Sequence, residues 1–508
     1  MAAGDDSSRS EAMAMHREAR RLQSTETLFQ GELASVAVDR IDERKADRRL
    51  VRRLDRRLLP WLFVMYMLAF LDRTNIGNAK IANLFNDLPM TDTQYTLTLM
   101  GFFVTYALFE PFANVLLKKL RPSIFLPFTM LMSGVFMILM ASVPVWHGLL
   151  AMRMFLGIAE AGLYPGINYY MSCWYKRDEF ALRAAIFFSA ASLSGAFGGF
   201  MAAAIQKLDG VGNLAGGRWV FLIEGFLTIF AAVPGFWLVP DLPHDARFLS
   251  PDDRVRLMRR LRADDQGSAS TRGEKMSKAL AKAAICDWKT WLAMLVYMGN
   301  GVSLYSLALS LPTMIKNMEC VDSKSISTIQ MMTVPPYLVG AVVTVAIGYL
   351  SDRYKQRGIF NLALAPVAMI GFLMCLCSSL GPVQYGGFIL AVSGTYASVP
   401  ITIAWVANNV EGLYKRAVVM GIVIGWGNLH GIMASAMWHD SPGFVMSYII
   451  VLVYVGVCML IGTILLNWYL RRENAMRRDG KRDHLVIGRS PDEITSLGDK
   501  RPDFVYTT

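Results

Sequence analysis

Seven ionisable residues in the first half of the chain fall inside apolar stretches: Asp72, Arg73, Lys80, Glu110, Arg153, Glu160 and Glu224. A charge deep in a bilayer costs about 2.5–3.5 kcal/mol on insertion scales, so such residues default to sites that face a cavity or a partner. They concentrate in two segments, LDRTNIGNAK (71–80) and RMFLGIAEAGLYPG (153–166). A buried Arg suits a carboxylate because its planar fork binds both oxygens. A poorly solvated carboxylate has a raised tendency to hold a proton, more so beside a second anion. Arg73 and Arg153 therefore provide chemistry for an anion, and Asp72 and Glu160 for protons.

Helical phase sorts these residues further. Neighbours such as Asp72 and Arg73 point about 100° apart, whereas seven-residue steps return to one face. Tyr66, Arg73 and Lys80 form one stripe, and Arg153, Gly157, Glu160 and Tyr164 form another. The two stripes run in opposite directions at similar depth. We therefore expect Asp72 to meet Arg153 across the two helices, leaving Arg73 to face a cavity. Lys80 is expected at the rim, with its ammonium reaching the surface. Glu110 is expected near a gate, and Glu224 in a structural role.

The second half offers mostly neutral polar groups: Asn300, Ser303 and Tyr305 in GNGVSLYSL, then Asn408, Asn409, Asn428 and His430. Asn428, in GWGNLHG, is the best substrate-binding candidate, because an amide bonds a ligand without adding charge. A lone histidine such as His430 is more often a packing residue. Gly195 and Gly199 in span five form a small-xxx-small surface, which suits helix packing. The six cysteines, Cys173, Cys286, Cys320, Cys375, Cys377 and Cys458, have no metal-ligand spacing. No nucleophile–base arrangement, metal cluster or phosphate loop is present, so neither an enzyme nor a cofactor is expected.

What must position these residues is a set of membrane spans. The chain has 508 residues, 54% hydrophobic and 18% charged, and apolar runs near 20 residues recur along it, enough to cross a bilayer core. They number twelve, near 59–80, 96–117, 123–143, 148–171, 184–205, 218–239, 289–311, 329–350, 359–380, 386–408, 417–437 and 446–470. The net charge of +11 lies almost wholly in alternate connections, with Lys207, Lys316 and Lys324 the exceptions. That is the positive-inside pattern with both termini cytosolic, and it argues against nucleic acid as a partner. A basic segment, RKADRRLVRRLDRR, is expected to lie as a short helix on the membrane surface.

The polar stretch 240–288 divides the spans into two sets of six. The halves echo each other: Tyr175-Lys176-Arg177 before span five is answered by Tyr414-Lys415-Arg416 before span eleven. The expected organisation is a tail at 1–58, a bundle at 59–239, a linker at 240–288, a second bundle at 289–470 and a tail at 471–508. Repeated bundles of this kind bind their ligand between the halves, near the midplane. Lys118, Lys119, Asp352 and Arg353, in connections, would make gate contacts between the bundles.

The motifs LDRTNIGNAK, FEPFANVLLKKLRPS, RMFLGIAEAGLYPG, GGRWVFLIEG, FWLVPDLPHDARFL and NNVEGLYKRAVVMGIVIGWGNLHGI carry a family likeness from about Leu59 to Leu470. The sequence resembles the major facilitator superfamily, more narrowly its anion:cation symporter family, and within that the fungal allantoate permease branch. The resemblance implies an all-α membrane protein with twelve transmembrane helices in two six-helix bundles, acting as a monomer in the plasma membrane. It implies proton-coupled symport of a small organic anion, with Asp72 and Glu160 in proton coupling and Arg73 and Arg153 in substrate recognition. Tyr66 and Tyr164, on the same helix faces, join the substrate candidates. An exporter of an acidic metabolite is the alternative within transport. A non-transporting nutrient sensor is a different class, disfavoured by the retained Asp72 and Glu160 and the short tails.

Overall fold

A computed structural model describes residues 43, 45–81, 88–208, 210–214, 216–263, 278–318, 325–437, 444–490, 494 and 497–508. Cys320, Lys324, most of the N-terminal tail and the centre of the linker lie outside the described residues. The chain divides into two units, Met1–Arg56 and Arg57–Thr508. In the first, residues 45–56 are helical, as the basic segment leads one to expect.

Among its described residues the second unit consists of helices and their connections, with no strand. Ten helices are long and apolar enough to cross a membrane. They correspond to every expected span but the first and fourth. Those two carry five of the seven ionisable residues, Asp72, Arg73, Lys80, Arg153 and Glu160, and both are interrupted. Span one is helical over 57–74, turns at Asn75 and resumes at Ile76–Ile81. Span four runs Trp146–Glu160, turns at Ala161-Gly162 and resumes at Leu163–Ser172. Broken helices at mid-depth are tolerated where the irregular backbone is buried in protein or lines a cavity. Span eleven is irregular in the same way. Its helix Leu413–Gly421 passes through a π-turn at Ile422–Trp426 and a tight 3₁₀ turn at Gly427–Leu429 before His430–Ala436. Asn428 and His430 sit on that wound segment.

Glycines set how closely the helices approach. Gly157 of span four faces Thr105 and the Phe102 carbonyl of span two so tightly that any Cβ would collide with both. The approach lets the Thr105 hydroxyl donate to the Met154 carbonyl at 2.9 Å. Between the halves, Gly77 of span one lies against span seven, where a Cβ would come 2.5 Å from the Leu309 carbonyl oxygen. Gly195 and Gly199 do the equivalent for spans five (Arg177–Ile205) and eight (Ile326–Tyr354), against Tyr337, Thr333 and Gln330. The Ser192 hydroxyl adds a bond to the Tyr337 carbonyl at 2.7 Å.

On the side of the linker the halves meet through polar contacts. Asp352 accepts from the Leu182 backbone N–H at 2.7 Å and pairs with Arg357 at 2.6 Å. Arg357 and Asn408 both donate to the Arg177 carbonyl, each at 3.2 Å. Arg353 is exposed, and the basic residue that meets Asp352 is Arg357, four positions later. The side chains of Lys118 and Lys119 lie outside the described residues.

Candidate functional site

Arg73 is the centre of the site. Its guanidinium pairs with the Glu160 carboxylate at 2.8 Å, with both side chains buried. It also donates to the Tyr305 hydroxyl at 3.0 Å and to the Ala69 carbonyl at 3.3 Å. The rings of Phe70, Phe102 and Tyr106 surround its central carbon at 5.2–5.8 Å. An arginine held this way is partnered on its edge and stacked on its face, both of which favour guanidinium over ammonium.

The expected Asp72–Arg153 ion pair does not form. Asp72, one position from Arg73, turns away from the cavity and accepts hydrogen bonds from Thr228 at 3.0 and 3.1 Å and Ser133 at 3.3 Å. Ser133 lies 3.1 Å from Glu160 as well, so one hydroxyl bridges the two carboxylates. Arg153 donates instead to the backbone carbonyls of Asp72 and Arg73, at 3.4 and 3.2 Å. The reason is the break in span one: next to the interrupted turn a cation is better used on main-chain oxygens than on a carboxylate already satisfied by two hydroxyls. Arg73 is thus not left free by its neighbour, and Glu160 is its partner. Glu224 is wholly buried near this cluster, and neither carboxylate oxygen has a hydrogen-bond donor among the described residues.

Between the halves lies a narrow cavity of about 10 Å³. Tyr66, Phe70, Arg73, Tyr164 and Phe188 line it from the first half; Tyr297, Leu304, Tyr305, Val399, Asn428 and His430 line it from the second. Tyr66 and Tyr164 stack with centroids 5.0 Å apart, so the two expected stripes do converge. Asn428 reaches across and donates to Glu110 at 3.3 Å, which places Glu110 beside the cavity as well as between the halves. His430 packs its ring on Gly301, bonds the Gly427 carbonyl and lies 5.2 Å from the Tyr305 ring.

Other candidates lie elsewhere. Lys80 pairs with Asp92 at 3.2 Å in a partly exposed setting, in keeping with a rim position. Asn300 donates to Thr402 at 2.9 Å, where Asn361 also donates at 2.8 Å, a polar knot within the second bundle. Ser303 bonds carbonyls of its own helix. Asn408 and Asn409 belong to the linker side. Ser133, Thr228 and the ring of Phe102 were not anticipated. A single hydroxyl in each apolar run, LMSGVF and FLTIF, was the available signal.

Residues 62–436 match the family model of the Major Facilitator Superfamily. The chain belongs to this superfamily. It is 34% identical over 481 residues to the MFS-type transporter cnsO of Penicillium expansum, covering 90% of each chain. It is 29% identical to the high-affinity nicotinic acid transporter of Saccharomyces cerevisiae, over 91% of this chain and 85% of that one. Among solved structures, the proton:xylose symporter XylE superposes with a TM-score of 0.62 at 13% identity, over 80% of this chain and 94% of XylE. A bacterial homologue of the lysosomal transporter Spinster, inward-facing and occupied, gives 0.56 at 17% identity, over 80% and 96%. These likenesses agree with the twelve-helix fold. The protein is an integral membrane transporter of the superfamily, not an enzyme.

Proposed function

We propose that this transporter carries a small organic anion together with protons, by alternating access between the bundles, in the plasma membrane with both termini cytosolic. The observation that carries the reading is the Arg73–Glu160 pair, 2.8 Å long and buried at the edge of the central cavity. Among the described residues Arg73 is the one guanidinium lining that cavity, and its fork matches a carboxylate. A substrate carboxylate entering the cavity competes with Glu160 for it. Binding is favoured when Glu160 takes a proton and releases Arg73, and the Ser133 bridge gives Asp72 a route to share that proton. With substrate and proton both bound, the site's net charge equals that of the empty pair. The bundles can then rock without exposing an unpaired charge to a low-dielectric interior.

The cavity walls point to the class of anion. Stacked Tyr66 and Tyr164, with Phe70, Tyr297 and Tyr305, suit a flat or aromatic monocarboxylate. The nicotinic acid transporter among the relatives is in keeping with that chemistry. Asp352 and Arg357 act as the cytosolic gate, and Glu110 with Asn428 couples the halves beside the substrate.

The test is uptake of a panel of monocarboxylates into vesicles, with and without an imposed proton gradient. The parent protein should concentrate at least one of them only when the gradient is present. Glu160→Gln should bind substrate yet lose gradient-driven accumulation. If Glu160→Gln still accumulates substrate in a gradient-dependent manner, the proton assignment is wrong.

A further inference from the structure

On the linker side of the cavity, the last residues of the chain lie in a cleft of the second bundle. The cleft is built by the start of span seven (Asp287, Lys289), the end of span ten (Trp405, Asn409) and span eleven's Lys415. Asp499 is fully buried there between Lys289 and Lys415, 2.6 Å from each. Both faces of the main chain at Thr507 are read: Asn409 accepts from its N–H at 2.8 Å, and Asn409 and Trp405 donate to its carbonyl at 3.0 and 2.8 Å. Asn474 does the same for Tyr506, donating to its carbonyl at 2.8 Å and accepting from its N–H at 2.9 Å. Phe504 and Tyr506 are buried, and the Tyr506 ring lies under the Arg477 guanidinium at 4.3 Å. Two-sided amide recognition, a buried carboxylate between two ammoniums and two buried rings are features of a peptide-binding cleft.

The same segment reaches the contact between the bundles. Phe504 sits 4.8 Å below the Arg177 guanidinium, which belongs to span five in the other half. The Thr508 carbonyl accepts from the Arg357 backbone N–H at 2.9 Å. Arg357 is the residue that bonds the Arg177 carbonyl and Asp352. The occupant therefore grips one bundle by many bonds and touches the other at the gate.

We propose that this cleft is a docking site for residues 499–508 of this chain, and that the docked segment is a latch biasing the transporter toward its cytosol-closed state. The inference rests on the orientation proposed above but not on the substrate or the proton. When the halves separate on the cytosolic side, Arg177 leaves Phe504 and the bond network around Arg357 is broken. Opening is therefore opposed while the segment is docked, and any event that undocks it eases opening.

The test reads gate exposure rather than transport, so it succeeds or fails independently of the anion and proton assignments. A reporter thiol is placed by Ala185→Cys, a buried position between spans five and eight beside Gly348, in a Cys286→Ser background. Alkylation by a membrane-impermeant maleimide is timed in inside-out vesicles. Phe504→Ala, which removes the contact across the gate and leaves Asp499 docked, should raise the rate about threefold or more. Deletion of 499–508 should raise it further. A misfolded deletion would show as lost monodispersity, and Phe504→Ala alone then decides. Rates equal to the parent in the well-folded variants, or rapid proteolysis of 499–508 in the parent protein, would overturn the latch.

Discussion

Arg73→Lys tests whether the site recognises its anion by geometry or by charge alone. In the folded protein the guanidinium spends one nitrogen on Glu160 at 2.8 Å, a second on Tyr305 at 3.0 Å and Nε on Ala69 at 3.3 Å. Lysine keeps the positive charge and can replace one of those contacts, but it presents a single nitrogen where a carboxylate needs two donors side by side. A charge-assisted hydrogen bond is worth about 1.5–3 kcal/mol, and each ~1.4 kcal/mol is tenfold in affinity. Loss of one bond of the fork should therefore weaken substrate binding about 10- to 100-fold. The assay is initial-rate uptake over a range of substrate concentrations at fixed gradient, with the amount of inserted protein measured in parallel. KM should rise by that factor, and vmax should change much less because the pair with Glu160 can still be neutralised. A KM within about twofold of the parent would refute the reasoning, since it would mean that the carboxylate never engages the fork.

Further predictions are as follows. Gly301→Ala would place a methyl inside the His430 ring envelope; the ring must swing into the cavity, so transport should fall strongly while the variant still folds, overpacking costing about 1–3 kcal/mol. Uptake and thermal stability measured together check this, and undiminished uptake would show that the cavity is not the transport site. Asp499 gives a pH expectation for the docked segment. Burial acts to raise its pKa, yet Lys289 and Lys415 outweigh burial and hold it below the ordinary 3.8. A group whose folded pKa is depressed contributes stability above its unfolded pKa and loses it as pH falls through the folded one. Docking should thus be constant between about pH 5 and 8, measured as protease resistance of 499–508. A loss of protection within that window would refute the assignment of Asp499 as the anchor.

Much of the architecture was legible in the chain itself. Apolar runs of membrane length, separated by basic connections, place the spans along the chain, because hydropathy alone marks them, although not the breaks inside spans one and four. Of the two expected stripes, Tyr66, Arg73 and Tyr164 line one cavity, while Lys80 and Arg153 do not. A helix fixes the phase of its own side chains, so such statements need one element only.

Partners were another matter. Asp72 and Arg153 share the depth and opposite charge that suggest a pair, yet the structure joins Arg73 to Glu160 and gives Asp72 to Ser133 and Thr228. The choice depends on rotation of one helix against another and on the turn at Asn75, and neither is encoded in local periodicity. The contacts on the linker side show the same limit: whether Arg353 or Arg357 meets Asp352 depends on how the helix after it starts. The segment 499–508 is the extreme case. Its composition is that of a polar tail, and only the juxtaposition of Lys289, Trp405, Asn409 and Lys415, drawn from three separate spans, gives it a place to bind. Sequence alone therefore determined the elements, their charges and their faces. The tertiary structure decided which faces meet, because contact is a property of pairs of elements and no single stretch of chain carries it.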